Sequence, residues 1–137
     1  MKILHISDTH GCHRRLHNLP QADIVVHSGD FTMNGSEQEA LGFMNWFCDL
    51  PCPQKIFICG NHDDCLYGAT IDGLDSNIHY GSEELLSRIT TVQPRLHLFG
   101  HIHSQHGTIV LNGTTFSNGA IMNADYSNFR MPNLVEL

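Results

Sequence analysis

The sequence predicts an α/β protein built as a two-sheet β-sandwich flanked by helices. Three observations lead there. Four short apolar runs each end in a polar loop that combines Gly with Asp, Asn or His. Helix-period segments separate some of these runs. After His103 the pattern turns to short strands alone, which suggests a second sheet.

Residues 2–6 read as the first strand and run into Ser7-Asp8-Thr9-His10-Gly11. Residues 23–27 form the second and lead to Ser28-Gly29-Asp30. Residues 55–59 come before Gly60-Asn61-His62-Asp63, and residues 96–99 before Gly100-His101-Ile102-His103. These runs are rich in β-branched and aromatic residues and are bounded by turn formers. A helix is expected over 36–49, where Ser36 and Glu39 have capping-box spacing. Leu41, Phe43, Met44 and Phe47 would form its apolar face. A second helix is expected over 82–92, closed by Pro94. Residues 107–111, 114–117 and 133–136 read as later strands, with Asn112-Gly113 as a hairpin turn. No repeat or linker interrupts the 137 residues, so residues 1–137 are expected to form a single domain.

Composition narrows the function. The formal net charge of -7 argues against a broad basic surface for duplex nucleic acid. A phosphate substrate stays open, because bound divalent ions would reverse the local field. The chain has 11 His and 14 carboxylates against 7 Lys and Arg, a balance suited to divalent metals. No apolar run is long enough to span a bilayer, and no signal-peptide core follows Lys2. The expectation is a soluble, cytoplasmic protein with no membrane partner. Five Cys, an odd number, suggest free thiols.

The metal-type residues Asp8, His10, Asp30, Asn61, His62, His101 and His103 all follow a predicted strand. Open α/β sheets place their sites at the carboxyl ends of strands. Asp8 with His10, and His101 with His103, have the spacing that puts two side chains on one side of an extended segment. Imidazole, carboxylate and amide oxygen together suit Mn, Fe, Zn or Ni. A shared carboxylate can bridge two ions about 3.5–4 Å apart and so activate hydroxide for attack on phosphorus. His13 and Arg14 follow the first loop and are candidate phosphate contacts, against a solvated helix start. His5, His27 and His97 sit inside strands and read as structural, whereas His17 and His106 read as surface residues.

Asp8-Thr9-His10, Gly29-Asp30, Gly60-Asn61-His62-Asp63 and Gly100-His101-Ile102-His103 together resemble the ordered signature of the calcineurin-like metallophosphoesterase superfamily. The chain is particularly similar to its small phosphodiesterase branch, that of the brain-type metallophosphoesterase-domain proteins. The resemblance implies a metallophosphoesterase-like αββα arrangement and two divalent ions per chain, with Mn foremost and Fe, Zn, Ni or Mg as alternatives. Asp8, His10 and His103 would hold the first ion, Asp30 would bridge, and Asn61 and His101 would hold the second. His62 would stabilise the transition state or protonate the leaving oxygen, oriented by Asp63. The implied substrate is a small phosphoester, with phosphodiesters and cyclic nucleotides foremost.

One motif of the superfamily is not found: a lone His between the Asn-His and Gly-His-x-His motifs. Asn61 and His101 are only 40 positions apart, so the second half looks shortened. His79 is the candidate replacement ligand, with Asp64 or Cys65 behind it. A weak second metal is one expected consequence. A sheet edge left bare, which a homodimer would cover, is another. The alternative to an enzyme is a noncatalytic remnant that keeps one metal and serves as a binding or assembly module.

Overall fold

A computed structural model describes residues 1–66 and 83–137 of the chain. His79 lies outside the described residues. The first sheet has β1 (Lys2–Ile6) near its centre, parallel to β2 (Ile24–Ser28), which is in turn parallel to β3 (Gln54–Ile58). On its other side β1 pairs antiparallel with β7 (Asn133–Glu136). The second sheet holds β4 (Leu96–Phe99), β6 (Thr114–Asn118) and β5 (Gly107–Leu111) in that order. β4 runs parallel to β6, and β5 and β6 form an antiparallel hairpin.

Two strands change sheets relative to the simplest reading of the pattern. β4 carries a metal-type loop like β1, β2 and β3, yet it lies in the second sheet. β7 belongs to the all-β tail, yet it closes the first sheet. Its alternation suits an edge: Val135 is buried while Leu134 and Glu136 face outward.

The first helix, α1, spans Glu37–Asp49. The capping box forms as expected: Glu39 N donates to Ser36 Oγ at 3.3 Å, and Ser36 N donates to Glu39 Oε2 at 3.2 Å. Its buried face is Ala40, Phe43 and Phe47. Leu41 is 60% exposed and does not join that face, because it lies one residue, about 100° of arc, from Ala40. Phe43 stacks on Phe31 at 4.2 Å and meets His27 at 4.8 Å. Leu4, Ile6, Val25 and Ile121 complete the core between α1 and the first sheet. Burying one such side chain favours folding by about 1.5–3 kcal/mol. The second helix, α2, spans Glu83–Val92, and its Ile89 is buried. Among the described residues no helix is long and apolar enough to cross a membrane.

The two sheets meet at the carboxyl ends of β1 and β6. Ser7 N donates to Gly119 O at 2.8 Å, and Ile121 N donates to Ser7 O at 3.1 Å. His5, fully buried, ties three strands: its Nδ1 is 2.8 Å from Ser117 Oγ and its Nε2 is 2.8 Å from Ser28 Oγ. Burial lowers the His5 pKa to about 4, so the ring is neutral. This junction brings the loops of both sheets to one place.

Candidate metal centre

The loops after β1 and β2 are joined backbone to backbone. Asp8 N donates to Gly29 O at 3.0 Å, His10 N to Asp30 O at 3.0 Å and Gly11 N to Phe31 O at 2.8 Å. Carboxylates add further links. His62 N donates to Asp30 Oδ1 at 2.9 Å, and His101 N lies 3.0 Å from both Asp8 oxygens. Two glycines make these approaches fit. A Cβ at Gly60 would meet Asp30 Oδ1 at 2.2 Å, and one at Gly100 would meet Asp8 Oδ2 at 2.3 Å.

The local backbone differs from the extended one expected. Asp8 (φ 53°), His10 (φ 42°), Asp30 (φ 57°) and His101 (φ 70°) are all left-handed. Asp8 and His10 therefore converge through turns and not through strand alternation. Such a conformation costs roughly 1–2 kcal/mol for a non-glycine residue. The hydrogen bonds between the loops hold it in place, as expected where strain serves a site.

The donor atoms converge. His10 Nδ1 faces Thr32 O at 3.1 Å, and His103 Nδ1 faces Asn123 O at 3.3 Å. With Nδ1 engaged in this way, each ring turns its Nε2 inward. The two Nε2 atoms lie 3.4 Å apart, and His103 Nε2 is 3.2 Å from Asp8 Oδ1. A divalent cation among these nitrogens and the Asp8 carboxylate would satisfy all of them together. Asp8, His10 and His103 thus form one group whose ligand atoms all lie within 4.8 Å. His10, Asp30 and His62 form a second group on the same criterion.

The electrostatics agree. Burial, then the neighbouring imidazoles of His62 and His103, lowers the His10 pKa to about 4, although the Thr32 carbonyl and Asp8 oppose this. Burial raises the Asp30 carboxyl, assisted by the Asp8 and Asp63 carboxylates against the His62 amide that donates to it. A neutral imidazole among crowded, desolvated carboxylates is a donor set for a divalent ion. The residues present fit such an ion.

A family model described as calcineurin-like phosphoesterase matches residues 1–80, more than half of the chain. The chain belongs to the calcineurin-like phosphoesterase family. A UPF0046 protein of Caenorhabditis elegans is 25% identical, covering 90% of this chain and 70% of its own. Metallophosphoesterase domain-containing protein 1 of Homo sapiens is 22% identical, covering 96% of this chain and 69% of its own. These alignments run over 207 and 227 residues, longer than the 137-residue chain itself. The two relatives therefore carry internal sequence that this chain passes over. Vps29 of Chaetomium thermophilum shares the fold at a TM-score of 0.59 and 10% identity, covering all of this chain and 81% of its own. As a calcineurin-like phosphoesterase the chain is expected to bind divalent metal, and its candidate ligand groups lie where the motifs converge.

Several sequence expectations need correction on this calcineurin-like phosphoesterase frame. Asp63 does not orient His62. Its carboxylate, fully buried, accepts from Asp30 N, Thr32 N and Gly60 N, each at 2.9 Å, and from Thr32 Oγ1. His62 instead turns Nδ1 to Met33 O at 2.9 Å. His13 and Arg14 do not reach toward phosphate. The His13 ring is buried against Trp46 and Phe43, at 5.2 and 5.7 Å, and Arg14 Nη2 points to Gly42 O. Both face α1 because the chain enters a 3-10 turn over His13–Arg15. Asn61 and His101 are exposed, unlike Asp8, His10 and Asp30. His106 is half-buried and faces Ala120 O at 3.0 Å, not a surface residue.

Other residues at the centre have no motif around them. Asn118 Nδ2 donates to Ile102 O at 2.7 Å, and Arg130 Nη1 donates to His103 O at 2.9 Å, so both brace the Gly-His-x-His loop. Asn118-Gly119 at the end of β6 repeats the strand-then-Gly pattern, a signal that could have found it. The Tyr126 ring lies 5.2 Å from that of His10 and 5.0 Å from that of His103. Burial and the Asp30 and Asp8 carboxylates raise its phenol pKa.

Proposed function

We propose that this protein is a metal-dependent phosphodiesterase. The observation that carries this reading is the inward set of Asp8, His10 and His103, with two Nε2 atoms 3.4 Å apart. Asp8, His10 and His103 would hold one ion, and Asp30 would be shared with a second completed by Asn61 and His101. When bound, divalent ions supply charge neutralisation for the phosphate and a hydroxide nucleophile at neutral pH. Manganese is the metal we favour, ahead of Fe, Zn, Ni or Mg.

His62 hands a proton to the leaving oxygen. Its Nδ1 is engaged by the Met33 carbonyl, so Nε2 is the nitrogen open to the reacting group. Asp63 acts one step away by locking the loop that carries Asp30. The Asp30→Ala and His62→Ala variants of the manganese-loaded protein should each lower hydrolysis of bis(p-nitrophenyl) phosphate by at least about 100-fold. Turnover that survives both changes would overturn the mechanism.

A second reading has its own support. Asn61 and His101 are exposed, and the alignments to relatives span sequence this chain lacks. On that reading one ion is kept at Asp8, His10 and His103, and the chain is a binding or assembly module. Metal analysis of the purified protein separates the two: two ions per chain favours the enzyme, and one ion without turnover favours the module. The partner on the first reading is a small phosphoester, with cyclic nucleotides among the candidates, in the cytoplasm. Ile109, Val110 and Leu111 on edge strand β5 are all exposed, and a second copy of the chain would cover them. A monomer in sedimentation at high concentration would refute that association.

A further inference from the structure

The loop that carries Tyr126 lies outside every motif, yet it reaches the candidate ligands. It closes on itself. Asn123 N donates to Asn128 O at 2.9 Å, and Asn128 N returns to Asn123 Oδ1 at 2.9 Å. Tyr126 N donates to Asn123 O at 3.0 Å, and Asp125 Oδ1 accepts from Ser127 N and Ser127 Oγ. This clamp holds Tyr126 at φ 60°, a left-handed conformation that is costly for a bulky residue. The same loop ties to the centre, because Asn123 O is the partner of His103 Nδ1.

The ring that this strained loop presents touches two candidate ligands, yet Tyr126 is still 42% exposed. A tyrosine kept only to pack the imidazoles would gain most by full burial. Here an aromatic surface stays open beside the candidate metal ligands His10 and His103.

We propose that Tyr126 is a specificity-determining residue: its ring forms a wall that receives the planar organic group of an aryl or nucleoside phosphoester. The proposal rests on the reading above in that a phosphoryl group is the ligand of the centre. Aromatic rings favour offset-stacked or edge-to-face contact, and a base stacked on an aromatic side chain gains affinity with little dependence on which base it is. Tyr126 would thus select for a planar group without reading its hydrogen-bonding edge.

The test uses two phosphonates, which present the same anchor and are not hydrolysed. Manganese-loaded protein is titrated by calorimetry with phenylphosphonate and with methylphosphonate. The wild type should bind the phenyl compound about tenfold more tightly. The Tyr126→Ala variant, saturated with manganese, should lose that preference and bind the two phosphonates within about twofold of each other. Tyr126→Phe should keep the preference, since the ring and not the hydroxyl carries it. A preference that persists in Tyr126→Ala, a wild type with no preference, or an equal loss for both phosphonates would overturn the proposal. If the phenyl preference holds but the manganese-loaded wild type hydrolyses no diester, the phosphodiesterase reading fails and the role of Tyr126 in ligand binding stands.

Discussion

Replacing Asp63 by Asn separates two accounts of the same residue. In the family pattern, Asp63 orients His62 and its loss would impair turnover in a folded protein. In the structure it closes the loop after β2, with Oδ2 on Asp30 N and Gly60 N and Oδ1 on Thr32 N and Thr32 Oγ1. An Asn amide keeps one acceptor and turns an NH2 group toward the other pair of donors. Whichever way it is flipped, at least two charge-assisted hydrogen bonds are lost. Each is worth about 1.5–3 kcal/mol, so the substitution should cost about 3–6 kcal/mol. That is a large part of the total stability of an ordinary domain, roughly 5–15 kcal/mol. At about 4 °C per kcal/mol, Tm should fall by about 12–24 °C. Thermal unfolding followed by circular dichroism measures this directly, with His62→Ala as the companion variant. His62 is half-buried, and its ring is held mainly by Met33 O, so its Tm should shift far less. If Asp63→Asn unfolds within about 3 °C of wild type but loses turnover, the orienting role is right and the loop-lock argument is wrong.

Two further outcomes follow from the same geometry. Gly100→Ala places a methyl 2.1 Å from Ser7 Oγ and 2.3 Å from Asp8 Oδ2, so the Asp8 carboxylate must move. Stability should drop by about 1–3 kcal/mol and manganese affinity by at least about tenfold, read by calorimetry; unchanged affinity would show that the loop yields without moving Asp8. Acid should also destabilise the metal-free protein through buried neutral histidines. The His5 pKa is lowered by burial from 6.5 to about 4, and that of His27 is lowered too. Below pH 6.5 the unfolded chain binds protons that the folded chain refuses, so stability declines as pH falls from about 6.5 to 4. His5 alone should account for about 3 kcal/mol of that loss. Urea midpoints across this range check it, and His5→Gln should flatten the slope.

Much of the architecture could be read from local pattern. Short runs rich in β-branched and aromatic residues, bounded by turn formers, located β1, β2, β3 and β4 to within a residue, because such side chains pack well on a pleated, buried surface. The capping box located the start of α1, because Ser36 and Glu39 satisfy helix-end amides wherever they have that spacing. Leu41 lies off the buried face despite its apolar side chain, because apolar character does not by itself place a residue on the buried arc of a helix. Sheet membership was not legible for β4 or β7, since any strand can pair with any exposed edge and the choice is made by non-local hydrogen bonds.

The sequence by itself determined the family and the ligand-type residues, because Asp, His and Asn in four ordered loops carry the chemistry in their identities. Only the tertiary structure decided how those residues are used. Left-handed turns at Asp8, His10 and Asp30 aim the side chains, and these depend on hydrogen bonds between loops remote in the chain. It is also what moved Asp63 from His62 to the Asp30 loop and turned His13 and Arg14 onto α1. It likewise brought Tyr126 from beyond the last motif onto His10 and His103. Identity is local to a residue, but the direction of a side chain is set by everything the chain packs around it.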